Sequence, residues 1–542
     1  MSAAKSPVEQ RIELLRDLWM EATGDDRVRL VVWRIPGNAD RMLTAFFEAH
    51  RRSEVALTPD YFFAFDCAFD TGFGYSRSLQ EQLQAAYVDS REALKEQGAP
   101  IDWHGAHADY PLSAAGTLEM FASFAERYRD HMRLFAAVLT PTPVSSHEAL
   151  QRWLESALAG PVPGRVRLCV VDHAESPRWD ALVQRHGAAA RVVEAPVDMF
   201  DIARATASQA AGGAGPTAAY RQMLADVMTL LDRSGAAQTA ARAERALRIA
   251  ERQQWPDQQV VLHMAVAGAH LKEAQFAEAI ARYRAARECA SRAQAAQHPA
   301  GAHMLLQTWF GEAGAWFAAG QLERAAQAYG EGAEAARRAP NAMFAIEGER
   351  MAGFCLARAG RREPARDRYL RGVAEAKDMP ARDRAATTLP LLLQDLLRLQ
   401  DEARTERIEQ CARRYQDEIA EAHRRAEGEA AALGPRPPAE ALARIEEAMC
   451  ARFERSFLQV RDERERLIAG GDEFFRKVVA VGRDFLHPAW NGLPEVKHPL
   501  DKEQAEWEAP PQFAQLPDPS DLLAGPAGIP AAAPRAVPEA VA

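Results

Sequence analysis

The sequence predicts an α/β domain, a parallel sheet with helices on both faces, then an all-α domain of helical hairpins and long charged C-terminal helices. Three observations predict it. Up to about residue 205, short runs rich in Val, Phe and Leu alternate with amphipathic stretches. From about residue 216 to 380 one helical phrase recurs, a small residue, a large one a turn later and a second small one. Past residue 380 the composition turns strongly charged and then rich in Pro and Ala.

In the first region, Val28–Trp33, Tyr61–Phe65, Leu134–Leu139, Val166–Val171 and Arg191–Glu194 read as strands. Helices are expected at Asp40–Arg52, Ser76–Gln97, Ser146–Leu158 and Pro177–His186. The apolar runs are continuous rather than strictly alternating, which fits parallel strands buried on both sides. A Gly- and Pro-rich linker, 206–216, marks the boundary with the next domain.

The recurring phrase reads Ala279-x3-Tyr283-x2-Ala286, Ala325-x3-Tyr329-x2-Gly332 and Ala365-x3-Tyr369-x2-Gly372, with a weaker copy at Ala243, Leu247 and Ala250. Small residues let two helices approach closely, and the large one fills the space between neighbouring hairpins. With Ala274-Gln-Phe276 and Gly320-Gln-Leu322 at the inter-helix turns and Gly353 as a helix-contact glycine, region 217–382 resembles tetratricopeptide repeats. The large residues stand 36, 46 and 40 residues apart, longer than the family's period of about 34. The resemblance implies that the Ala, Tyr and Gly residues of the phrase pack between helices, while first-helix residues line a concave face that holds a partner protein. On that basis Gln259, His263, Gln307, Glu312 and Arg350 are the candidate partner-binding residues. Some members grip a peptide carboxylate with Lys and Asn, but Gly268 stands in the place of one such Asn.

Charge runs from 401 to 429 and again within 439–481, broken at Gly434-Pro-Arg-Pro-Pro438, predict a long helix and then a second long helix or helix pair within 383–487, placed so that the two segments could fold back as an antiparallel hairpin. Their charge reads first as a solvated face and second as a contact with a partner. The stretch 488–542 carries too little apolar surface to offset ordering entropy and is expected to be disordered, with Trp490 and Trp507 placed to dock before it.

The order of α/β domain and repeats resembles signalling NTPases of the STAND type, in which a P-loop domain precedes a repeat array. The phosphate loop would fall at Gly37, after the first strand. The G-x4-G-K-[ST] motif is missing: Asn38, Ala39, Asp40, Arg41 and Met42 follow instead, so the Lys and the metal-binding hydroxyl are absent. The domain therefore reads either as a degenerate NTPase-like scaffold or as an unrelated α/β fold. Asp172 at a strand end, Gly72 and Gly74 in a turn, and His104 and His107 in a loop are read as ordinary structural residues. No catalytic, cofactor or metal residues are assigned.

The chain carries a net charge of −10, which argues against general nucleic-acid binding. The N-terminus reads as a charged helix rather than a signal peptide, and no apolar run is long enough to cross a bilayer. Six scattered cysteines fit reduced thiols in the cytoplasm, and Arg outnumbering Lys is associated with a GC-rich bacterial genome. The expectation is a bacterial cytoplasmic adaptor, scaffold or chaperone for another protein, such as a secreted effector. The alternative is a nucleotide-controlled switch acting on the repeats.

Overall fold

The computed structural model describes residues 5–50, 56–199, 201–202, 205–206, 215–487, 490 and 516–524. It divides into two compact units, one of 1–212 with 417–454, the other of 213–416 with 455–542.

The first unit opens with α1 (Pro7–Thr23). Ser6 caps it, accepting from the Glu9 N–H while the Glu9 side chain accepts from the Ser6 N–H, and Pro7 pre-sets the first turn. Five parallel strands follow, β1 (Leu30–Ile35), β2 (Tyr61–Phe65), β3 (Phe135–Leu139), β4 (Val166–His173) and β5 (Ala190–Glu194), in the order β2-β3-β4-β1-β5. The register sets Arg34 of β1 beside Asp172 of β4 and Glu194 of β5. Side chains alternate between two cores. Val31, Trp33 and Ile35 face the helix α2 (Asp40–Ala49) through Met42, Phe46 and Phe47. Leu30 and Val32 face the other side, with α3 (Gly72–Glu96), α4 (Ala114–Arg127), α5 (His147–Ala159) and α6 (Asp180–His186). Helices on both faces explain why the strands read as unbroken apolar runs.

The chain leaves β1 for one face and β4, its neighbour, for the other. That reversal makes the crevice at the carboxyl ends of β1 and β4 the place where such sheets hold ligands.

The second unit contains successive helical hairpins: α7 (Pro216–Arg233) with α8 (Ala236–Arg252), α9 (Pro256–Lys272) with α10 (Phe276–Ala295), α11 (Gly301–Ala318) with α12 (Leu322–Arg338), and α13 (Ala342–Arg358) with α14 (Arg362–Ala376). They form a helical-repeat array. Each helix packs on the next in sequence. Ala274, Gly320 and Gly360 turn three of the hairpins, all with positive φ, 55°, 72° and 76°. Ala279, Ala286, Ala325, Gly332, Ala365 and Gly372 are buried, as are Tyr283, Tyr329 and Tyr369. The close approaches are tight. A Cβ on Gly311 would lie 2.2 Å from the Tyr283 ring, one on Gly353 2.6 Å from the Tyr369 ring, and one on Gly332 2.9 Å from Phe310.

α15 (Leu389–Gln400) packs against α14, and two long helices follow, α16 (Glu402–Ala431) and α17 (Ala439–Ala469). They pair antiparallel: Arg404 donates to the Leu467 carbonyl at 2.8 Å and Arg414 pairs with Glu463 at 2.5 Å. Their distal parts, 417–454, belong to the first unit. There Phe73 of α3 sits among Ala422, Ala426, Leu442, Met449 and Phe453, and Arg77 grips Glu446 through both guanidinium nitrogens at 2.6 and 2.8 Å. α18 (Glu473–Phe485) packs on α15, and Trp490 lies buried against Gly482. Of the linker expected at 206–216, residues 207–214 lie outside the described residues, as do Trp507 and most of the expected tail, while Pro216 already begins α7.

Candidate functional site

Two places invite a ligand, and each is built from local sequence. The first is the crevice at the ends of β1 and β4. Beyond β1 the chain turns through Pro36 and Gly37 into α2, the position at which a phosphate loop would lie. The Gly37 N–H donates instead to the carboxylate of Glu175, at 3.1 and 3.2 Å. N–H donors from Glu175 itself and from Gly37 hold that carboxyl below its usual range. Asp40, the first residue of α2, meets Nε2 of His173 at 3.0 Å, and Asn38 donates to Asp198 at 3.4 Å. Met42 is buried in the core and Arg41 is exposed. Asp172 is committed to structure: Arg34 pairs with it at 3.0 Å and the Arg178 N–H donates to it at 2.9 Å. The chain's own carboxylate thus sits where an anion would dock, with Asp40 and Asp198 close by.

The same device recurs at α3. Thr71 caps the helix by accepting from the Gly74 N–H, and the Gly72 N–H donates to Glu427 of α16 at 2.6 Å. The Gly72 and Gly74 expected in a turn begin this helix. His107 is held by Gln84, whose Oε1 lies 2.9 Å from its Nδ1, and His104 is exposed. Among the described residues no group of three or more His, Cys, Asp and Glu side chains is gathered to hold a metal ion.

The second place is the repeat array. The sequence-selected residues do not share one surface. Gln259 is 3% exposed and accepts from Arg292 at 2.7 Å. His263 is half-buried, burial pulling its pKa down, and its Nδ1 has no hydrogen-bond partner. Gln307 is exposed on α11. Arg350 is held by Glu347 at 2.9 Å and Asp395 at 3.3 Å.

Glu312 is 3% exposed and anchors a cluster. Arg284 of α10 donates to one carboxylate oxygen at 2.9 Å, Arg287 donates to the other, and the Trp316 indole N–H donates at 3.2 Å. Burial alone would push the Glu312 pKa up; the hydrogen bond and charge of Arg287, then Arg284 and Trp316, outweigh it, and the pKa is lowered. The Arg287 guanidinium lies over the Trp309 ring, 3.6 Å from its centroid, and that of Arg324 over Trp316 at 4.8 Å. These groups line an open cleft of about 510 Å³. Thirty-seven residues on, Glu349 of α13 repeats the arrangement, fully buried and held by Arg337 and Arg368.

The expectation of partner contacts on first helices named Glu312 but not the arginines around it, since Arg284, Arg287 and Arg324 sit on second helices. Tryptophans and a glutamate on one arc of α11, with arginines at i and i+3 on α10, were the available signal.

No family model and no curated protein matches this chain. Among solved structures, the chain is similar to a Signal Transduction ATPase with Numerous Domains (STAND) protein with a tetratricopeptide repeat sensor from Pyrococcus horikoshii. The two are 11% identical, with 87% of this chain and 89% of that one covered, at a TM-score of 0.22.

Proposed function

We propose that the protein is an adaptor or scaffold of the bacterial cytoplasm that recognises another protein through its repeats. The observation that carries this reading is the unbroken series of hairpins α7–α14, which stacks helix on helix and so presents long ridged surfaces rather than a reaction centre. The finer role is delivery or chaperoning of a secreted effector. The α/β domain acts as a rigid platform: Glu175 on the Gly37 N–H leaves little attraction for a phosphate. This weighs against the alternative, a nucleotide-controlled switch, which the missing Lys and hydroxyl also disfavour.

His303 and Gln307 stand one turn apart on α11, and both are exposed. Replacing both by Glu should reduce capture of the partner that the wild-type protein enriches, while the melting temperature stays within about 2–4 °C. Undiminished capture removes the concave face as the docking surface. Tight Mg²⁺-ATP binding by the intact protein, in calorimetric titration, would favour the switch.

A further inference from the structure

The cleft between α10, α11 and α12 has a chemistry of its own. Trp309, Glu312 and Trp316 fall within about 60° of one another around α11, whereas Gln307 lies about 140–180° away from them at 100° per residue. The cleft therefore opens on the far side of α11 from Gln307, between the second helices of two successive hairpins.

Three guanidinium groups converge on it. Glu312 holds Arg284 through Nε and Arg287 through Nη1, which leaves their remaining N–H groups without a described acceptor. Arg324 is exposed, rests on Trp316, and has no carboxylate within ion-pair distance among the described residues. The indole rings give Arg287 and Arg324 a surface to rest on, and the buried carboxylate holds Arg284 and Arg287 from behind. Guanidinium groups positioned in advance lose little side-chain entropy when they bind, and each presents a fork that matches a carboxylate. Two glutamates line the cleft against the three arginines, the buried Glu312 and the exposed Glu331 on the rim. The cleft keeps a net positive charge in a chain whose total is −10.

We propose that this cleft is a docking site for an acidic peptide segment of a partner protein, whose Asp or Glu side chains pair with Arg324 and the free edges of Arg284 and Arg287. The proposal rests on the reading of the repeats as protein-binding and adds a second surface with a stated ligand chemistry. Arginine and tryptophan side by side are the composition that dominates interface energetics. Side-chain carboxylates are favoured over nucleic acid because the acidic chain as a whole repels a long polyanion.

The test uses the full-length protein and a fluorescein-labelled 12-residue peptide of Asp, Glu and Ser, acetylated and amidated so that no terminal charge contributes. A peptide with Asn and Gln in place of the acids and a 12-nucleotide oligo-dT serve as comparisons. The expected result is saturable binding of the acidic peptide alone, weakened by salt. Arg324→Glu should weaken it about tenfold, since like charges brought together oppose docking, and Arg324→Gln should fall between. Arg324 is exposed, so both variants should keep wild-type circular dichroism. Equal binding of the neutral peptide, stronger binding of oligo-dT, or an unchanged affinity in Arg324→Glu would overturn the proposal. The His303/Gln307 variant separates the two readings. If it loses its partner while the acidic peptide fails to bind wild type, the array binds protein and this cleft does not; if neither experiment responds, both readings fall.

Discussion

Glu312→Gln isolates the charge of the buried cluster while keeping its shape. The substitution preserves an acceptor for Arg284 but leaves Arg284 and Arg287, three residues apart on α10, with no counter-charge between them. Removing one partner of a fully buried ion pair costs about 3–5 kcal/mol. The Arg284 side chain is 55% exposed and that of Arg287 19%, so water screens part of the loss, and a hydrogen bond to a charged group contributes about 1.5–3 kcal/mol. The expected cost at pH 7 is about 2 kcal/mol. Because the Glu312 pKa is depressed in the folded state, its contribution is fully present above the unfolded carboxyl pKa of about 4.3 and is lost as pH falls through the folded value. Urea unfolding of wild type and variant from pH 7 to pH 3, followed by circular dichroism and tryptophan fluorescence, reads this directly. The gap between them should be widest at pH 7 and close in acid. Equal midpoints at pH 7, or a gap that widens as pH falls, would refute the account of the cluster.

Tyr369→Ala removes a ring that is 1% exposed against Gly353 and should cost about 3–5 kcal/mol in urea unfolding; Tyr329→Ala, packed edge-on to Phe310, should cost a similar amount. Ala274→Gly should stabilise by up to about 1 kcal/mol, because Ala274 holds a left-handed backbone, and Gly320→Ala at the equivalent turn should destabilise by as much. The intact protein should hydrolyse no ATP or GTP above a buffer blank; turnover that requires Mg²⁺ and disappears with Arg41→Ala would reverse the reading of the α/β domain.

The strands were legible because burial on both faces leaves a continuous apolar run: Tyr61–Phe65 is found as read, and the other four shift by one or two residues. The repeats were legible because Ala-x3-Tyr spacing is imposed by close helix contact. α4 was not. Gly116 and Thr117 open it and Phe is a weak helix former, so its propensity is poor although Glu119, Ser123 and Glu126 recur on one unburied face. The crevice was half legible. The missing Lys is written in the motif, but Glu175 reaches Gly37 from 138 residues away, and Glu427 reaches Gly72 from 355. No local pattern announces such a partner. The cleft arginines escaped for a related reason: Arg324 is an ordinary exposed charge in sequence and acquires meaning only when folding sets it on Trp316.

Two carboxylates, one on the turn before α2 and one on the first residue of α3, give the first unit a common logic. Each supplies the negative charge that a helix start attracts, and each comes from a distant segment, Glu175 from the loop after β4 and Glu427 from the helix α16. Charge that a nucleotide would bring in a phosphate-binding domain is here built into the chain, which satisfies the backbone donors without a ligand. Glu427 also ties the distal part of the long hairpin to α3, beside the Arg77–Glu446 pair and the Phe73 cluster. At the carboxyl side of the sheet, Glu175 and Glu427 thus accept from the Gly37 and Gly72 N–H groups, contacts made by the chain itself.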